Sequence, residues 1–83
     1  MGNEVITIML SELPEGKRAK VCRVNAGIEA KQRLANLGML PGIEILKRRS
    51  APFHGPIEIE VRGSILALGR GIADKIVVEM VRV

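Results

Sequence analysis

Aromatic residues are all but missing from this chain. Phe53 is the only one, and Trp and Tyr are absent. The core must therefore be built from Ile, Val, Leu, Met and Ala. Single-stranded nucleic-acid modules stack bases on aromatic platforms, and one Phe makes a poor platform. Pockets for flat organic cofactors lean on aromatic walls as well, so no cofactor is expected. Cysteine is equally scarce: Cys22 stands alone, which excludes an internal disulfide and fits a reducing compartment. His54 is the only histidine, so a two-histidine metal pair from one chain is excluded. Long apolar runs are lacking, and none approaches the ~18 residues of a membrane span. The apolar stretch from Val5 to Leu10 is too short for a secretory signal, and Glu4 stands where such a signal is basic. Met1-Gly2 resembles a myristoylation start, but Ile6 occupies the position that needs Ser or Thr. The expectation is a cytoplasmic protein with no direct membrane insertion.

What is present is ordinary globular usage. The chain has 83 residues, with 47% hydrophobic and 27% charged, which argues for a fold and against disorder. Its 9.0 kDa leaves room for one domain, taken as residues 1–83. A chain this short buries only about 60–65% of its unfolded surface, so its stability margin is thin. Thirteen basic residues against nine acidic ones give a net charge of +4. That is enough for solubility and weak attraction to an acidic surface, and less than a dedicated nucleic-acid arm carries.

Glycine and proline punctuate a series of short apolar segments. Val5 to Leu10 reads as extended, with Ser11 as the cap of a single turn through Leu13 that Pro14 ends. Lys17 to Val24 reads as a strand, with Ala19, Val21 and Arg23 on one side and Lys20, Cys22 and Val24 on the other. Ile28 to Leu37 reads as a helix whose apolar stripe is Ala30, Leu34 and Leu37, and Gly38 suits the left-handed residue past its end. Leu40-Pro41-Gly42-Ile43 carries the residues of a type II turn. Ile43 to Arg49 follows as a strand, then a loop from Ser50 to Gly55. Ile57 to Arg62 alternates strictly and turns back through Gly63-Ser64, with glycine first, into a strand from Ile65 to Leu68. Gly69 to Asp74 allows one helical turn around Ile72 and Ala73, and Ile76 to Val83 closes the chain as a strand. A sheet this small is unstable flat, and curling removes most exposed edges. The reading is mostly β: a small SH3-like barrel of about five strands with one short inserted helix.

The chemistry on offer is thin. The plain reading of Cys22 is a small sheet residue and of His54 an exposed loop residue; the sharper one is a Cys–His pair or a metal site completed by a second chain. Glu58 and Glu60 share one face of the alternating strand, as the polar half of the alternation rather than an acid–base pair. Gly69-Arg70-Gly71 lacks the Gly-Lys-Ser/Thr of a phosphate loop and reads as a bend. Lys47-Arg48-Arg49 with Lys17, Arg18, Lys20 and Arg23 outlines a basic face across adjacent strands, or merely solvated strand ends. Met39 and Leu40 sit between helix and turn, where they either plug one end of the barrel or form a partner-binding patch. Nothing in this inventory supports an enzyme, and no metal site is complete.

Arg33-Leu34 through Leu37-Gly38 to Pro41-Gly42 resembles the RLxxLGxxPG signature of the FeoA family, the small ferrous iron transport protein A. Leu10-Ser11-Glu12-Leu13 and Gly16 agree, as do Ala51-Pro52, Gly55-Pro56-Ile57, Val61-Arg62-Gly63, Ala67-Leu68-Gly69 and the stretch from Ala73 to Val78. The ordered set runs from about Thr7 to about Met80 and is more specific than any of its pieces. The C-terminal SH3-like domain of iron-dependent repressors looks similar, but no DNA-binding helical domain precedes the match here. The resemblance implies an SH3-like barrel and an accessory role in bacterial ferrous iron uptake, with no catalytic residues. It implies as partner the cytoplasmic part of the membrane transporter FeoB, whose transport or GTP turnover the protein would modulate. With a single Phe, a proline-peptide groove is not expected. An aliphatic contact through Ala30, Leu37, Met39 and Leu40 is expected instead, with weak self-association permitted and no nucleic acid. The alternative is a nucleic-acid-binding or metal-responsive module acting through the basic face.

Overall fold

The structure, a computed structural model, describes residues 4–82. The Met1-Gly2 start and Val83 lie outside the described residues. Six strands form one antiparallel sheet in the order β1-β6-β2-β3-β4-β5. They are β1 (Glu4–Met9), β2 (Arg18–Val24), β3 (Glu44–Ser50), β4 (Ile57–Val61), β5 (Ser64–Leu68) and β6 (Ile76–Arg82). A 3-10 turn (Leu10–Glu12) follows β1, α1 (Ile28–Asn36) joins β2 to β3, and α2 (Arg70–Ala73) joins β5 to β6. The mostly-β reading stands, with six strands for the expected five or so, and the turn allowed around Ile72 and Ala73 is α2.

The last strand is not at an edge. β6 lies between β1 and β2, and Ile76, Val77 and Val78 are all buried. An unbroken apolar run suits a strand covered on both faces. One core collects Val21 and Val24 from β2, Ile45 from β3, Ile57, Ile59 and Val61 from β4, Leu68 from β5, and Ile76, Val78 and Met80 from β6. Leu10, Leu13, Leu34, Met39 and Ala73 enter it from the connections, and Ile6 and Ile8 of β1 pack against it. A sheet whose every strand reaches one core is rolled around it. The hydrogen bonding leaves β1 and β5 as edges. Phe53, the lone aromatic, is almost wholly exposed.

Three local expectations are corrected. The hairpin between β4 and β5 turns at Arg62-Gly63, not Gly63-Ser64: Val61 pairs with Ser64, and Arg62 and Gly63 have φ of +50° and +81°. Two successive positive φ values make a type I′ turn, which has the strands' own twist and puts Gly63 second rather than first. Ser11 does not cap the first turn; the Glu12 carboxylate accepts the Met9 N–H at 3.0 Å instead. In β2 the alternation breaks because the register to β6 shifts between Val21 and Arg23. Cys22 is the extra residue of that bulge, so Val24 rejoins Ala19 and Val21 among the buried residues and Arg23 is exposed.

Candidate partner-docking site

The C-terminal end of α1 is shaped by one glycine. Gly38 has φ +94°, and its N–H donates to the Ala35 carbonyl at 2.9 Å. The next N–H, of Met39, reaches back to the Leu34 carbonyl at 2.9 Å. These two bonds define a Schellman ending, in which the second residue past the cap packs on the residue three before it. Met39 is accordingly 1% exposed and joins Leu34 in the core. A Cβ on Gly38 would meet Val61 Cγ1 at 3.4 Å, so the ending is also seated closely on β4.

The turn that follows is tied to the sheet. The Ile43 N–H donates to the Leu40 carbonyl at 3.1 Å, and Gly42 has φ +91°, as a type II turn requires. Gly42 N–H donates to the Val21 carbonyl at 2.7 Å, and Val21 N–H to the Ile43 carbonyl at 2.9 Å. Two apolar side chains stand out from this frame: Leu37 is 47% exposed and Leu40 44%. Ala30, one helical repeat earlier, is half-buried.

Of the four expected contact residues, the structure leaves Leu37 and Leu40 at the surface and Ala30 at its margin. Met39 is removed from the contact surface, because the Schellman ending turns it inward; of the two readings of Met39, the plug holds. The signal was in the sequence: once Gly38 is read as the left-handed residue, Met39 becomes the position that folds back onto Leu34. Ile28 is exposed at the first turn of α1, where it lines a shallow groove with Lys31, Gln32 and Ala35, away from Leu37 and Ala30.

The basic face is interrupted: Lys17, Arg18, Lys20, Arg23 and Arg49 are exposed, but Lys47 is withdrawn from it and Arg48 is paired. Lys47 shares the core-facing alternation of β3 with Ile45, and is 3% exposed. Its Nζ donates to the Ser11 carbonyl at 3.0 Å. Burial, and secondarily the Arg70 guanidinium, push its pKa down; the Glu15 carboxylate partly opposes this. Arg48 binds Glu58 through Nε at 3.2 Å and Glu60 through Nη1 at 3.3 Å. Arg49 approaches Glu58 at 3.9 Å, and Arg18 approaches Glu44 at 3.8 Å. The carboxylates of β4 thus serve as counter-ions to β3. Cys22 sits half-buried at the β2 bulge and His54 is exposed in the β3–β4 loop with φ +59°. Among the described residues, no group of three or more His, Cys, Asp or Glu gathers in a way that could hold a metal ion. No described helix is long and apolar enough to cross a membrane.

Comparison with known proteins agrees with the ordered motifs. Residues 8–80 match the family model described as the FeoA domain. A Methanocaldococcus jannaschii protein named Fe(2+) transport protein A is 40% identical over 65 residues, covering 78% of this chain and 77% of its own. The solution structure of FeoA from Chlorobium tepidum superposes with a TM-score of 0.83 at 37% identity, over 88% of this chain and 70% of that one. The zinc-complexed FeoA of Stenotrophomonas maltophilia, described as a procaryotic SH3 domain protein, gives a TM-score of 0.75 at 28% identity, over 92% of this chain and 99% of that one. The rolled six-stranded sheet is therefore SH3-like.

Proposed function

The chain belongs to the FeoA family, and from that premise we propose that it is a cytoplasmic accessory protein of ferrous iron uptake that binds the cytoplasmic region of a FeoB-type transporter and adjusts its transport or GTP turnover. The observation that carries this reading is the pair of exposed leucines, Leu37 and Leu40, on a frame fixed by the Schellman ending and the type II turn. Apolar side chains on rigid backbone lose little entropy on docking, which is how a small patch gains affinity. Ala30 borders the patch, and Met39 supports it from beneath. No chemistry is required of the protein itself. Direct binding to nucleic acid through the basic face has less support, since Lys47 is buried and Arg48 is paired with two glutamates.

The test is a titration against the full-length transporter and, separately, its isolated cytoplasmic region, with nucleotide and salt varied. Binding to both is expected. Leu40→Asp should weaken it by at least about tenfold, on the order of 1.4 kcal/mol, while the circular dichroism spectrum stays that of the wild type. A folded Leu40→Asp variant that binds like the wild type removes this patch from the reading. Failure of the wild type to bind either the whole transporter or its cytoplasmic region overturns the reading itself.

A further inference from the structure

The edge strand β1 offers a pairing surface that the fold leaves open. Its sequence, Glu-Val-Ile-Thr-Ile-Met, holds four consecutive β-branched residues, Val5 to Ile8. Natural edges are guarded by lysine, proline, bulges or a covering segment; β1 has no lysine, proline or bulge, and no described strand lies beyond it.

Two hydrogen bonds establish which backbone groups face outward. The Lys75 carbonyl accepts the Asn25 N–H at 2.7 Å, so it points from β6 toward β2. Strand alternation then directs Ile76, Val78 and Met80 toward β1, where Val78 pairs with Ile8 and Met80 with Ile6. Independently, the Met9 N–H is taken by the Glu12 carboxylate rather than by β6. Both observations put the N–H and C=O of Ile6 and Ile8 in the ladder to β6, and those of Val5 and Thr7 on the open edge.

We propose that β1 pairs antiparallel with β1 of a second copy of this chain, about a two-fold axis at Ile6. In that register Val5 lies opposite Thr7 of the second copy, and Thr7 opposite its Val5. Both are hydrogen-bonded pairs, so every N–H and C=O that Val5 and Thr7 present is satisfied. Ile6 meets Ile6 at the intervening pair, where side chains approach most closely. Glu4, the only charged residue of β1, lies opposite Ile8, so no like charges meet. A slip that set Val5 against Met9 would need the Met9 N–H that Glu12 already holds. On the outer face Val5 is 58% exposed and its ladder partner Val81 is 51% exposed, and in this register Val5 gains Thr7 of the second copy as its cross-strand neighbour. The other edge, β5, carries only one β-branched residue, Ile65. Contact through one strand of each copy falls short of the roughly 1,200–2,000 Å² of stable complexes, so this dimer dissociates on dilution.

Sedimentation from about 10 μM to about 1 mM, with amide hydrogen exchange at both ends of the range, tests the pairing. A monomer–dimer equilibrium is expected, with the Val5 and Thr7 amides protected only at high concentration. Thr7→Pro removes an N–H that faces the open edge and not the ladder, a place where sheets accept proline; it should weaken dimerisation at least about tenfold. Thr7→Lys keeps every backbone group and sets two lysines diagonally across the junction, which provides the same test if the proline variant fails to fold. A chain that stays monomeric at the highest concentration overturns the proposal. So does protection that appears at Ile65 and Ala67 on β5 in place of Val5 and Thr7, or a folded Thr7→Lys variant that dimerises like the wild type.

Discussion

Lys47 is the residue whose chemistry departs furthest from its sequence context. In a Lys-Arg-Arg run it reads as part of a basic face, yet it occupies a core-facing position of β3 and its ammonium is withdrawn onto the Ser11 carbonyl. A lysine can do this because its four-carbon stem packs as a hydrophobe while the head finds an acceptor. The charged form is nonetheless disfavoured by burial and by Arg70, so its pKa lies below the ordinary 10.5. In the window below 10.5 the unfolded chain then binds more protons than the folded one, and stability rises with pH. The penalty is fully present below the folded pKa and gone above the unfolded one. Lys47→Met keeps the stem and discards the titration. The wild type should therefore gain stability relative to Lys47→Met as pH rises toward 10.5, measured by urea unfolding at a series of pH values. Parallel pH profiles for the two proteins would show that the buried ammonium carries no penalty.

At the scale of elements, most of the fold was legible because its signals are local. The strict alternation of Ile57 to Val61 buries Ile57, Ile59 and Val61 and leaves Glu58 and Glu60 half-exposed. The Pro-Gly of the type II turn and the glycine ending of α1 behaved as their dihedral preferences dictate. What was not legible depends on pairing. The bulges at Cys22 and Arg48 arise where register shifts between strands, and no residue there announces one. The burial of Lys47 follows from which strand face meets the core. The inward turn of Met39 was readable, but only by carrying the Gly38 assignment one residue further. The hairpin depends on pairing too, since Val61 pairs with Ser64 and Gly63 is thereby the second turn residue. Arg62 now holds φ +50°, a region that asparagine enters more easily than arginine. Arg62→Asn should stabilise the protein by about 0.5–1 kcal/mol, raising Tm by a few degrees. A fall in Tm would mean that the Arg62 side chain contributes more than its backbone costs.

For the whole molecule, the lack of aromatic residues sets the terms of stability. A core of Ile, Val, Leu and Met spreads the hydrophobic contribution over many small side chains, and the rolled sheet lets all six strands share it. A chain of 83 residues has a total stability of roughly 4–12 kcal/mol. Against that total, one buried isoleucine is a large fraction. Ile59 is fully buried in the middle of β4, between strands on both sides, so the sheet cannot collapse readily into the space it would leave. Ile59→Ala should cost about 2–5 kcal/mol, lowering the urea midpoint by the fraction that this cost is of the total, with the slope unchanged. Ile65→Ala, on the exposed face of the edge strand β5, supplies the contrast: the same atoms are deleted where more than half of the side chain already meets water, and the cost should stay below about 1 kcal/mol. With neither Trp nor Tyr to fluoresce, both transitions are read by far-ultraviolet circular dichroism. Equal losses for the two variants would mean that burial within this sheet does not govern stability and that backbone pairing does. A large loss for Ile59→Ala alone would place the weight of the fold on the same aliphatic core that holds Met39 beneath the exposed leucines.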